Sequence, residues 1–220
     1  MKKYIVSAVI AVSIVTGLAS QASAEKVVTA KTSETPKRTR QLDRMVFRQM
    51  VYSDISIQGN AVASLEQCIR YLRKQNPTPY LECTIRELVE IYYEEGAKEG
   101  IRPDLAFAQA LWETGHFRYG GDVVPFQNNY CGLGTTGGGA KGAWFPTPRI
   151  GVRAQIQHLM AYATTEAPVN EIVDPRYELL RASDRFGKNK RWTDLNGKWA
   201  VPGNSYGQNI LMIHARILES

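Results

Sequence analysis

The sequence predicts a mainly α-helical domain that carries one small glycine-rich β-hairpin lobe. Three observations predict it. Apolar residues recur at helical spacing in several stretches of the 220-residue chain. Two of those stretches open with S/T-x-x-E/Q capping boxes, Ser64–Gln67 and Thr84–Glu87. Ten of the eighteen glycines fall within residues 115–151, which marks that part as different in kind. No repeat of 20–50 residues is visible, so a solenoid is not expected.

The chain opens with Lys2 and Lys3, an apolar run over residues 4–19, and the small-residue site Ala22-Ser23-Ala24. This is the pattern of a cleaved secretory signal over residues 1–24. The run is short for a bilayer span, which disfavours a retained anchor, and no later stretch is long enough to be one. Residues 25–58 are polar and basic and read as a linker. The folded domain is expected over residues 59–220. Its first helix runs from the Ser64 box to about Lys74, where Asn76-Pro77 breaks it. Its second carries Ile85, Leu88, Val89 and Tyr92 on one face, with Glu90, Glu94, Glu95 and Glu99 as the expected solvated side, and closes at Gly100.

Residues 101–115 form the segment about which the rest is organised. Pro103 suits a first helical turn, because its missing N–H would be unpaired there anyway. The residues that follow, Leu105 to Trp112, leave almost no wettable face apart from Gln109, so the helix is expected to be buried. Gln109 and Glu113 interrupt it four residues apart and share one stripe. Burial disfavours the carboxylate anion, and so does the negative end of the helix. Both effects raise the pKa of Glu113, as a glycosidase acid requires. The alternative is a rim glutamate paired with Arg118.

Residues 129–134 and 142–145 are expected as two short strands about a glycine-rich turn. Gly132–Gly137 matches G-x-G-x-x-G in form only, because no helix opens after it. Tyr119, Phe126, Tyr130, Trp144 and Phe145 supply rings that can stack on sugars or fill a core. Val152, Ile156, Leu159 and Ala163 mark a later helix, Asp174-Pro175 a short one, and Tyr206, Ile210, Ile213 and Ile217 the last.

The formal charge is +6. Removing the two lysines of residues 1–24 leaves +4, and residues 25–58 hold seven bases and four acids, so the domain itself carries only about +1. No basic stripe supports nucleic-acid binding. The basic linker suits an anionic surface such as a cell wall or lipid headgroups. Cys68, Cys83 and Cys131 allow one disulfide, with Cys68–Cys83 the local choice. The histidines His116, His158 and His214 are scattered, so no metal site and no cofactor are expected.

AQALWETGHF, QNNYCGLG and Asn204-Ser-Tyr206-Gly-Gln-Asn-Ile, in that order, resemble the bacterial glucosaminidase domain, glycoside hydrolase family 73. The lead-in IQGNAVASLEQCIRYL is similar to the segment that often precedes it, so the resemblance runs from about Gly59 to the C-terminus. It implies a lysozyme-like helical domain with a hairpin lobe across a groove. It also implies an enzyme that cleaves the β-1,4 bond between N-acetylglucosamine and N-acetylmuramic acid in peptidoglycan; with the signal pattern of residues 1–24, a secreted, monomeric enzyme of the cell wall is expected. Its partner is the peptidoglycan glycan strand, with no stable membrane span after signal cleavage. Glu113 falls on the family's general acid, Tyr206 on its near-terminal tyrosine and Asn129 on the asparagine that opens the hairpin. Gln109, Tyr119, Asn128, Asn129, Trp144 and Phe145 are the expected substrate-binding residues.

One departure matters: residues 123–165 contain no acid at all. Asp122 is then the nearest second carboxylate. Otherwise the substrate's own N-acetyl group attacks and one glutamate suffices. A lytic transglycosylase on the same glycan, a non-catalytic wall-binding module, and a cysteine peptidase using Cys131 and His158 are the competing functions.

Overall fold

The computed structural model describes residues 55–135 and 138–220. The expected signal and nearly all of the expected linker lie outside them. The described chain is mainly helical: α1 (Leu65–Gln75), α2 (Ile85–Glu99), α3 (Pro103–Glu113), α4 (Pro148–Ala163), α5 (Tyr177–Arg181) and α6 (Tyr206–Leu218), with 3₁₀ turns at Pro125–Gln127 and Trp192–Leu195. Among the described residues no helix is long and apolar enough to cross a membrane.

Both capping boxes form. The Ser64 hydroxyl accepts from the Gln67 amide at 3.3 Å while the Gln67 side chain accepts from the Ser64 amide at 2.9 Å. Thr84 and Glu87 repeat the exchange at 3.2 and 2.8 Å. Each box satisfies two amides that a helix start would leave bare. Pro103 occupies the first turn of α3, and every residue from Pro103 to Leu111 is buried. α1, α2 and α6 surround α3, while α4 packs on α2. Around Phe107 lie the rings of Tyr92, at 5.6 Å between centroids, and Phe117, at 6.2 Å.

Asp104 fixes the start of α3 to two other parts of the chain. Its carboxylate accepts from the amides of Val62 and Ala63 at 2.8 and 2.9 Å and lies 2.7 Å from Nε2 of His214 on α6. Burial pushes this carboxyl up, but the bonds from His214, Ala63 and Val62 outweigh it and hold the pKa below the usual value. The chain just before α1 belongs to the fold as well. Ile57 is fully buried, its amide donates to Lys190 O at 2.8 Å, and its carbonyl accepts from Arg102 at 3.0 Å.

Three expectations need correction. The acidic face of α2 is only partly solvated: Glu95 and Glu99 are buried. Glu95 takes Arg149 at 2.9 Å and Arg153 at 2.8 Å, both from α4, so these charges join the two helices. Burial alone would raise the Glu95 carboxyl, yet the bonds from Arg153, Lys98 and Arg149 bring it down to about 2. Glu99 instead caps the loop amides of Val169 and Asn170 at 2.8 and 3.2 Å. Single-sequence periodicity could not see these partners, because they come from distant segments.

Among its described residues the glycine-rich segment forms no strand; the described strand content is limited to isolated bridges elsewhere. The two expected strands do lie side by side, and Ala143 N donates to Leu133 O at 2.8 Å. However, Gly132, Gly134 and Gly142 have φ of 70, 76 and 74°, which no extended strand adopts. Carboxamides replace the missing ladder. Asn129 Nδ2 donates to Leu133 O at 2.9 Å and Ala143 O at 3.2 Å, and Gln127 Nε2 donates to Ala143 O at 3.1 Å. The third correction is that Cys68, Cys83 and Cys131 are all free thiols, with Cys68 Sγ 3.5 Å from the Tyr93 hydroxyl.

Candidate active site

Glu113 is the last residue of α3. Immediately beyond it the chain turns back on itself, with Gly115, His116 and Phe117 all left-handed at φ of 59, 59 and 57°. Such a conformation is strained for the two non-glycine residues. Packing offsets the strain: Phe117 is fully buried, edge-on to Tyr130 at 5.9 Å. Thr114 also holds the turn, its hydroxyl accepting from Phe117 N at 2.9 Å and donating to Ala110 O at 2.7 Å. The turn ends α3 at Glu113, so no further helical turn covers that side chain.

The Tyr206 hydroxyl, from the first residue of α6, donates to Glu113 Oε1. A line of buried groups stands behind it. Gln109 Nε2 donates to the Tyr206 oxygen at 2.8 Å, Gln155 Nε2 to Gln109 Oε1 at 2.8 Å, and the Tyr92 hydroxyl to Gln155 Oε1 at 2.6 Å. Gln155 also reaches Ala106 O at 2.9 Å. Every donor in the line points toward Glu113, which keeps the buried polar atoms satisfied and fixes the direction of the tyrosine hydroxyl. Burial pushes the Glu113 carboxyl up to about 7, although bonds from Tyr206 and Trp199 pull it back down. At neutral pH a large fraction of such a carboxyl holds a transferable proton. Arg118 does not pair with it; that guanidinium binds the carbonyls of Gly115 and Gln75 instead.

Two cavities meet at this carboxyl, and Glu113, Gly132 and Thr135 line both. The larger, of about 740 Å³, runs between the glycine-rich segment and residues 176–201. The smaller, of about 220 Å³, contains Tyr119, Asp122 and Asn129. Together they form a groove with the candidate acid in its middle. The Trp199 ring stacks beside Tyr206 at 6.3 Å and meets His158 edge-on at 4.9 Å. His158 Nδ1 lies 2.7 Å from Asp174 Oδ2, which anchors that ring in the wall of the larger cavity.

The other expected site residues divide by burial. Gln109 is fully buried and wholly engaged between Gln155 and Tyr206. Asn128 and Asn129 are buried and tie the loop, Asn128 through Phe145 O at 3.1 Å and the Tyr130 hydroxyl at 3.1 Å. Phe145 packs into a small second core with Cys131, Leu133 and Ala154. Trp144 is 60% exposed, and neither cavity includes it. Tyr119 lines the smaller cavity and has a buried hydroxyl with no partner among the described residues. Asp122 shares that cavity with Glu113. Cys131 and His158 both line the larger cavity, yet burial pushes the Cys131 thiol well above its ordinary value, leaving no thiolate to attack. Among the described residues no His, Cys, Asp and Glu cluster suits a metal ion.

Sequence reasoning missed Gln155, Trp199, and the pairing of His158 with Asp174. The logic that singled out Gln109 and Glu113 would have found Gln155, since it too is a polar residue on a helix buried on most sides. Trp199 lies in an irregular loop, where no periodicity exists to flag it.

A model of the glucosaminidase family, described as mannosyl-glycoprotein endo-β-N-acetylglucosaminidase, matches residues 89–218. The chain belongs to the glucosaminidase family. Every residue that lines the two cavities falls inside the matched glucosaminidase span. The family points to glycoside hydrolase activity on peptidoglycan. An uncharacterized protein of Borreliella burgdorferi is 33% identical over 155 residues, which covers 70% of this chain and 73% of that protein. No solved structure matches the chain.

Proposed function

We propose that this protein is an exported peptidoglycan hydrolase that cleaves the β-1,4 bond between N-acetylglucosamine and N-acetylmuramic acid. Glu113 is the general acid that protonates the leaving oxygen. The observation that carries this reading is a carboxyl raised to about 7 by burial, standing where two cavities meet. Tyr206 holds that carboxyl rather than reaching for the substrate, because its hydroxyl is committed to Glu113 and Gln109. In the first step the N-acetyl oxygen of the substrate attacks the anomeric carbon as the bond to the leaving oxygen breaks and Glu113 protonates that oxygen; in the second, Glu113 as base takes a proton from the water that opens the resulting oxazoline. The acid-free run of residues 123–165 supports this route over a two-carboxylate one. The signal pattern of residues 1–24 supports export to the cell wall.

The test is digestion of purified wall with wild type and Glu113→Gln, followed by mass spectrometry and NMR of the fresh products. Wild type should release N-acetylglucosamine reducing ends of retained configuration, and Glu113→Gln should lose about 10²–10⁴-fold in rate. Asp122→Asn should be mild. Anhydro ends would make the enzyme a transglycosylase. Inverted product with an inactive Asp122→Asn would restore a two-carboxylate mechanism. Wall binding with no cleavage by wild type would leave a binding module.

A further inference from the structure

The two halves of the groove carry opposite charge. The larger cavity is lined by Arg176, Arg185 and Lys198, against Asp184 as its one carboxylate besides Glu113. The smaller is lined by Asp122 and Glu113 and by no cation. Among the described residues no carboxylate lies within ion-pair distance of Arg176, Arg185 or Lys198. Arg185 and Lys198 are steadied by neutral groups instead: Arg185 donates to Lys198 O at 3.3 Å, and Lys198 donates to the Asn189 side chain. The three cations therefore line the cavity without an ion-pair partner among the described residues and outnumber its carboxylates.

An uncharged polysaccharide would gain nothing from this asymmetry. A glycan in which alternate sugars bear an acidic substituent would gain from it twice. Its carboxylates would be drawn to the arm with three cations and repelled from the arm that holds Asp122. Resting on the reading of the site as a peptidoglycan hydrolase, we propose that the larger cavity is a carboxylate-recognition arm. It takes the leaving side of the scissile bond, the sugar with its lactyl ether and attached peptide. The arm thus sets the direction in which the strand threads past Glu113 and makes peptide-bearing glycan the preferred substrate.

The test compares kcat/KM on three substrates: glycan strands with intact peptide stems, the same strands stripped by an amidase, and chito-oligosaccharides without carboxylates. Wild type should prefer them in that order. Exposed charge pairs are individually weak, so the preference should fall by about tenfold in Arg176→Gln/Arg185→Gln and should shrink in high salt. Arg176→Lys should restore most of the preference lost in Arg176→Gln, a rescue that a packing role would not produce. Equal rates on stem-bearing and uncharged chains, or a preference untouched by the double substitution, would overturn the proposal. The same three ligands are also titrated against Glu113→Gln by binding alone. A charge-dependent order of binding without turnover in wild type would uphold the arm and sink the hydrolase reading, whereas turnover without any charge dependence would do the reverse.

Discussion

At the scale of single residues, the proposed chemistry turns on the proton of Glu113. Its pKa of about 7 places the falling limb of the pH–rate profile near neutrality, since the donor is lost as pH rises through that value. The Tyr206 bond favours the anion and so lowers this pKa. Tyr206→Phe should therefore shift the falling limb to higher pH, while turnover drops because the carboxyl is no longer held. A profile that stays in place after Tyr206→Phe would show that the tyrosine does not act on Glu113. The same pKa bears on stability. A carboxyl whose folded pKa is raised favours the fold fully below its unfolded value near 4.5 and loses that contribution as pH rises through about 7. Glu113→Gln has no such penalty, so its melting temperature should gain on wild type between pH 4.5 and pH 8.

At the scale of elements, α3, α4 and α6 meet behind Glu113 through carboxamides rather than through charge. Among the described residues Gln155 on α4 is the one link between the Tyr92 hydroxyl and Gln109, and it has no route to substrate because it is fully buried. Gln155→Leu should lower kcat about tenfold with little change in KM, since it leaves Gln109 free to turn and Tyr206 unsupported. Gln155→Glu would provide acceptors in the same place but no donor for Gln109, and should not rescue the loss. A change confined to KM would show that the line of amides does not govern the acid. Much of this architecture was legible beforehand. The capping boxes, Pro103 and the spacing of apolar residues are local signals, and they placed α1, α2, α3 and α6 correctly, with Glu113 at the end of the buried one. The expected strands do not form among the described residues, which was not legible because a glycine-rich pair of short segments reads the same whether its glycines make a turn between strands or, as at Gly132, Gly134 and Gly142, take positive φ within them. The arginine partners of Glu95 and the donors behind Tyr206 were invisible because they come from residues 46–97 positions away, at separations no pattern spans.

At the scale of the whole molecule, Asp104 joins the entry segment, the central helix and the last helix through one carboxylate. Its pKa is held below the usual value, so its contribution is present above the unfolded value near 3.8 and fades as pH falls through the folded one. Asp104→Asn should destabilise the protein at pH 7 by about 3 kcal/mol or more, because His214 loses its partner in a buried place. The gap to wild type should narrow as the wild-type carboxylate is protonated in acid. Chemical denaturation at several pH values measures both effects, and a constant gap would show that the pair carries no charge-dependent stability.

The wall of the groove opposite α5 has a consequence of another kind. A paired ladder transmits any insertion along its whole length, since a slip of one residue turns every side chain over. Here Asn129 and Gln127 grip only a few carbonyls, and the acid is held from the other side by α6. On the proposed mechanism, the chain at residues 138–140 can thus be lengthened or shortened without disturbing the proton donor. The catalytic apparatus and the shape of the trough are separately adjustable, and a lineage meeting a differently decorated wall has a place to change that costs it no chemistry.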